Sequence, residues 1–152
     1  MRIHLLCVGR ARAGPEMALY ADYARRLPWS LILREVEERR PFSPLERRAR
    51  EARLLEAALP RGARLVALDE HGQSLSSTAF AARLNRWQEE GVADLAFLIG
   101  GADGLDPALV ARAELTLSLS AMTWPHLLVR PLLAEQLYRA HTILDGHPYH
   151  RG

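Results

Sequence analysis

The chain is 152 residues long, 49% hydrophobic and 25% charged, with a formal net charge of +2 at pH 7. That length and balance describe one globular domain, residues 1–152, with a core of its own, and they exclude disordered, collagen-like and disulfide-stapled classes. Nothing approaches the roughly 18 consecutive apolar residues of a membrane span, and Met1-Arg2-Ile3-His4 leads into a short strand-like run rather than a signal peptide, so a cytoplasmic protein with no membrane partner is expected.

Arg2 to Gly9 is a short apolar run closed by glycine and reads as a first buried strand, with a loop Arg10 to Gly14 behind it. Its Cys7, the single cysteine, has no partner in the chain and fits a small buried hydrophobe better than a reactive thiol. Pro15 suits the first turn of a helix whose apolar stripe runs through Met17, Leu19, Tyr20, Tyr23, Ala24 and Leu27 to a stop at Pro28. Trp29 to Val36 has strand character. After a polar stretch, Glu37 to Pro44, an arginine-rich helix spans Leu45 to Leu59, with Leu45, Ala49, Ala52, Leu55 and Leu59 at spacings of three or four.

Arg64 to Asp69 is a third apolar run, turned by Gly72, and the Ser76-Ser77-Thr78 cluster offers caps for a helix through about Glu90. Asp94 to Ile99 is a fourth run and leads into Gly100-Gly101-Ala102-Asp103-Gly104-Leu105. A short helix, Pro107 to Ala113, precedes a fifth run, Leu115 to Ser120, and a last helix occupies much of Pro125 to Leu144 ahead of an irregular tail to Gly152. Five alternations of strand and helix predict an α/β fold with a mostly parallel sheet covered by helices on both faces. No repeat or domain boundary interrupts it.

In such a sheet ligands bind beyond the carboxyl ends of the strands. Three ends stand out: Leu68-Asp69-Glu70, Gly100 to Gly104, and Ser118 to Pro125. Glycines there let a ligand approach the backbone amides, although one such loop is equally consistent with a plain tight turn. The G-G-x-x-G spacing is neither a dinucleotide fingerprint nor a P-loop, whose lysine this chain lacks altogether: all 20 basic residues are arginine. The absence of lysine fits genome composition as readily as function. The tail His147-Pro148-Tyr149-His150-Arg151 gathers groups suited to phosphate, base and proton. A metal site built from His126, His141, His147 and His150 is the weaker reading, since Pro148 prevents a helical pair and no cysteine or acidic cluster completes it. Glu135 and Asp145 read as lone acids.

Charge is uneven. Residues 1–64 carry 14 Arg and 8 acids (+6), and residues 65–152 carry 6 Arg and 10 acids (−4). A basic half invites nucleic acid.

Four blocks, in this order, carry a resemblance over essentially the whole chain. They are the opening HLLCVGR, Leu98 to Leu105, the run Leu117 to His126 with Glu135 to Ala140 behind it, and the terminal His147 to Arg151. The sequence resembles the small bacterial SPOUT-class methyltransferases that methylate N3 of a pseudouridine in large-subunit ribosomal RNA.

The resemblance implies a deep C-terminal trefoil knot, formed where the fourth and fifth strand-end loops and the last helix thread together. It implies S-adenosylmethionine held by Leu68, Gly100, Leu119, Ser120, Ala121, Met122, Thr123 and Trp124, with no metal. It implies a homodimer with a composite active site, in which the tail of one subunit completes the pocket of the other, and large-subunit ribosomal RNA, within the ribosome, as partner. His150 is expected near the target base, with Tyr149 shaping its pocket and Arg139 and Arg151 on RNA. Arg10, Arg12 and the Arg47 to Arg53 helix become the expected RNA face, an outer surface apart from the cofactor pocket. A non-catalytic RNA-binding or ribosome-assembly factor on the same fold is the alternative. Pro131 departs from the pattern: a proline inside the last helix predicts a kink, or a regular helix that begins nearer to it.

Overall fold

A computed structural model describes residues 1–151; Gly152, the end of the expected tail, lies outside them. In chain order the elements are β1 (Arg2–Val8), α1 (Pro15–Arg26), β2 (Ser30–Val36), α2 (Pro44–Ala58) and β3 (Arg64–Ser74). They continue with α3 (Ser77–Glu89), β4 (Asp94–Ile99), α4 (Pro107–Val110), β5 (Leu115–Ser118) and α5 (His126–Leu144).

Local chemistry sets the helix starts. Ser43 and Glu46 form a reciprocal capping box ahead of α2, with Pro44 at its first position. The Ser76 hydroxyl accepts the Ala79 amide at 3.1 Å, and Asp106 accepts the Ala108 amide at 2.9 Å.

The five strands form one all-parallel sheet in the order β2-β1-β4-β3-β5. β1 and β4 lie inside it, and their near-continuous apolar sequences follow from burial on both faces. One core gathers Ile3, Leu5, Phe97 and Ile99 with Tyr20 of α1, Phe80 and Trp87 of α3 and Leu133 and Leu137 of α5. The opposite core sets Leu6, Val8, Ala96 and Leu98 against Ala52 and Leu55 of α2 and Leu105 and Leu109 beside α4. Helices therefore cover both faces, as the alternation predicts. Cys7 is fully buried, and burial raises its thiol pKa to about 12, which leaves it inert at neutral pH.

Three boundaries differ from the sequence reading. β3 continues five residues past Asp69, because Gly72 is a point of close approach and not a turn: a Cβ there would lie 2.6 Å from the Thr116 carbonyl oxygen. Leu68 and Gln73 both pair with Leu117, so residues 69–72 bow out as a bulge. β5 stops at Ser118, whose hydroxyl reaches the Glu70 and Ser120 carbonyls at 3.0 and 2.9 Å and bends the chain away from the ladder. α4 is a single turn. Pro131 lies inside one helix, α5, that begins at His126, where the amides of Leu128 and Val129 bond the Pro125 carbonyl at 2.9 and 3.3 Å. The regular helix thus starts ahead of the proline, which deprives the Leu127 carbonyl of its partner.

Candidate active site

Beyond the carboxyl ends of β4 and β5, and against the 69–72 bulge of β3, lies a cavity of about 450 Å³, within the roughly 300–1,000 Å³ typical of small-molecule sites. Its walls include Leu68, Gly100, Leu119, Ser120, Met122, Thr123 and Trp124, seven of the eight residues expected to hold the cofactor; Ala121 is not in its lining. The fold thus gathers the β3 bulge and the ends of β4 and β5, spread over about 50 residues of chain, around one space.

The loop after β4 is a tight turn in which Gly104 donates to the Gly101 carbonyl at 3.0 Å and adopts φ +75°. Gly100 is packed so closely on it that a Cβ would lie 2.7 Å from the Gly104 carbonyl carbon and 2.9 Å from the Leu105 nitrogen. The loop after β5 is held at three points: by Ser118, by the Ser120 hydroxyl accepting the Met122 amide at 3.0 Å, and by Thr123 donating to the Glu70 carboxylate at 2.7 Å. Met122 and Trp124 stay 70% and 42% exposed on this wall, a large apolar surface for a loop.

Sequence reasoning missed part of the cavity. Asp69, Glu70 and Asp103 give it carboxylates, Arg48 reaches it from α2, and His126 and Val129 enter from α5. His126 packs on Gly9, where an added Cβ would lie 3.1 Å from its ring nitrogen; burial and the Arg130 charge hold its pKa below the ordinary 6.5. For the metal reading, the described residues place no group of three or more His, Cys, Asp or Glu side chains so that it could hold a metal ion.

The tail forms a second cluster on its own α1 and α5. The Tyr149 ring meets Tyr138 edge-on at 4.8 Å and lies 4.8 Å under the Arg139 guanidinium. Its hydroxyl donates to Glu135 at 3.1 Å and stands 3.3 Å from that of Tyr23; burial raises its pKa. Arg139 bonds Glu135 at 2.5 Å and approaches His150 Nδ1 at 3.4 Å. Glu135 is therefore no lone acid but the hub of this cluster, a role the i,i+4 spacing to Arg139 signals. Arg139, Tyr149 and His150 come together, yet none of residues 147–151 lines the cavity of the same chain. Glu135 lines a neighbouring recess that shares Leu117, Leu119 and Trp124 with it.

The basic helix is not a separate outer surface throughout. Arg47 pairs with Asp103 at 3.2 Å and donates to the Phe42 carbonyl at 2.9 Å, while Arg50 stacks 3.8 Å over the Phe42 ring, so α2 is tied to the glycine loop.

A family model described as "Predicted SPOUT methyltransferase" matches residues 1–150. The chain is 57% identical over 151 residues to a Paramagnetospirillum magneticum protein named ribosomal RNA large subunit methyltransferase H. A Rhodospirillum centenum protein of the same name is 56% identical, and 99% of each chain is covered in both comparisons. Among solved structures, a probable methylase family protein from Haemophilus influenzae shares the fold at TM-score 0.58 and 10% identity, covering 99% of this chain and 70% of that one. Sheet, strand-end cavity and full-length similarity agree, and the chain belongs to the SPOUT methyltransferase family.

Proposed function

We propose that this chain transfers a methyl group from S-adenosylmethionine to N3 of a pseudouridine in large-subunit ribosomal RNA, in the cytoplasm. The observation that carries the reading is the cavity at the ends of β4 and β5 and the β3 bulge, in a chain similar from end to end to proteins named for that class of RNA.

The cavity's chemistry fits the cofactor. Gly100 lines the wall with backbone alone, which suits polar edges, Met122 and Trp124 offer apolar surface to a purine, and Asp69 and Glu70 offer negative charge to a cationic ligand. S-adenosylmethionine supplies, when bound, a methyl on a positively charged sulfur that is already electrophilic. The protein's share is alignment. Leu68, Gly100 and the 119–124 loop hold the donor, and ordered packing of that loop keeps it in one position. The base must leave its stack to reach the site. Tyr149 walls the base, Arg139 and Arg151 hold RNA, and His150 stands by the N3 proton as it departs.

We take the active site to be composite. The tail packs on its own α1 and α5 and lines none of its own cavity, while exposed Trp124 and Leu132 border the recess that Glu135 lines and exposed Met122 borders the cavity beside it. A second copy seated on that apolar rim brings its tail to the cavity, which makes the enzyme a homodimer. The loops at 100–105 and 118–125 and α5 are taken to thread as the family's trefoil knot.

Titration calorimetry with S-adenosylmethionine, alongside methylation of ribosomes by the protein and its His150→Ala variant, tests this. The expected result is saturable cofactor binding by both and turnover lost in the variant. No binding by the parent protein returns the chain to the non-catalytic RNA-binding reading, and full turnover by the variant removes His150 from the site.

A further inference from the structure

The chemistry above leaves unused one ion pair whose cation is wholly buried. Arg130, in the second turn of α5, is 0% exposed, an exceptional position for a guanidinium. It donates to Glu35 at 3.0 Å, at the end of β2, and to the Gly9 carbonyl at 2.7 Å, just past β1; its Nε has no partner. Glu35 in turn accepts the Ala11 amide at 2.5 Å. Burial alone would raise the Glu35 pKa, yet the Ala11 amide and Arg130 hold it below the usual carboxylate value, so the pair is ionised at neutral pH. Gly9 also donates to the Val36 carbonyl at 2.8 Å.

These bonds converge on three residues of backbone, 9 to 11. They anchor the root of the loop that displays Arg10 and Arg12, both largely in solvent, and they do so from the α5 turn that puts His126 and Val129 into the cavity wall. Among the described residues Arg10 makes one ion pair, with Glu37 at 3.6 Å, and Arg12 makes none.

We propose that Glu35 and Arg130 are positioning residues for RNA. They fix the Arg10–Arg12 loop in register with the cofactor cavity, so that its two cations meet RNA phosphates while the target base lies in the site. Burying a guanidinium is a costly way to gain stability but a precise way to fix geometry, since Glu35 cannot move off without stranding the Arg130 charge. The inference rests on the RNA-methyltransferase reading for its consequence and on the bonds above for its geometry, and the two are tested apart.

Geometry is read by amide hydrogen exchange of the free protein. Glu35→Gln, and Glu35→Asp if the first fails to fold, should speed exchange at Gly9 and Ala11 by about tenfold or more. Asp keeps a charge for Arg130 but is one methylene too short to hold both partners. Unchanged exchange in either folded variant overturns the proposal, whatever the substrate.

The consequence is read by ribosome methylation kinetics. The same variant should raise KM for ribosomes about tenfold with kcat and cofactor Kd changed less than about twofold, a loss of binding rather than of chemistry. In an Arg10→Ala/Arg12→Ala background the further change should shrink below about twofold, because the pair then has nothing to position. A full additional effect in that background, or a fall in kcat or cofactor affinity in place of the KM change, overturns it. Failure of the parent protein to methylate ribosomes counts against the proposed function and leaves the exchange result to judge the geometry.

Discussion

Gly100→Ala isolates the cavity floor with one added methyl. The new Cβ would stand 2.7 Å from the Gly104 carbonyl carbon, 2.9 Å from the Leu105 nitrogen and 3.0 Å from the Gly104 oxygen, all backbone atoms that no rotamer change can clear. Restoring an ordinary 3.4 Å contact takes a displacement of 0.7 Å (3.4 minus 2.7) in a turn that is itself closed by the Gly104–Gly101 bond. Overpacking of this kind costs about 1–3 kcal/mol. If the folded variant relieves it by moving the loop off the cavity, cofactor binding must restore the original position, and Kd rises by roughly five- to a hundredfold at 1.4 kcal/mol per factor of ten. Calorimetry gives the Kd and thermal denaturation the stability. Gly62→Ala is the control: its φ of +76° makes a side chain strained, but open space surrounds it and it does not line the cavity, so it loses stability without losing cofactor. Wild-type affinity in a folded Gly100→Ala protein would refute the role given to this loop.

Arg130→Met should lower stability by about 1–3 kcal/mol, because the Gly9 carbonyl and the part-exposed Glu35 carboxylate lose their buried donor, a fall in Tm of roughly 3–10 °C by calorimetry. Replacing Arg10, Arg12, Arg50 and Arg53 by Gln should flatten the slope of log binding constant against log salt for ribosomes by up to roughly 3, with cofactor affinity unchanged. An unaltered slope would move the RNA face elsewhere. Arg2 first, then His4, bond Asp94 and depress its pKa from 3.8 to about 2. A carboxylate depressed in the folded state stabilises above its unfolded pKa and loses that contribution as pH falls through the folded one, so Asp94→Asn should abolish the part of acid destabilisation lying between about pH 4 and pH 2. His126 is depressed as well, and for a histidine this means the unfolded chain takes the proton first. Stability should therefore fall as pH drops below 6.5, an effect absent in His126→Asn.

The sheet was legible because β1 and β4 are apolar throughout and glycine or proline closes most elements, as Gly9, Gly91 and Pro28 do. The cavity was legible because it lies where strands stop. What stayed hidden depends on pairs far apart in the chain. Gly72 looks like a turn until Thr116 is seen against it. Glu135 and Tyr149, 14 residues apart, meet because the tail folds back along α5. Arg130 lies 95 residues from Glu35, and its one local sign is a charge in the apolar run LLVRPLL, on the face of His126 four residues earlier. Burial of such a residue is decided by β2 and the loop after β1, which local pattern does not report.

The central claim is methyl transfer to N3 of a pseudouridine, and mass spectrometry of the product tests it most directly. Large subunits and intact ribosomes lacking the modification, incubated with the protein and isotopically labelled S-adenosylmethionine, should gain one methyl at a single pseudouridine of large-subunit RNA, located on N3 by fragmentation of the nucleoside. Label on another atom or another base, or no label on ribosomal RNA despite saturating cofactor binding, would contradict the account.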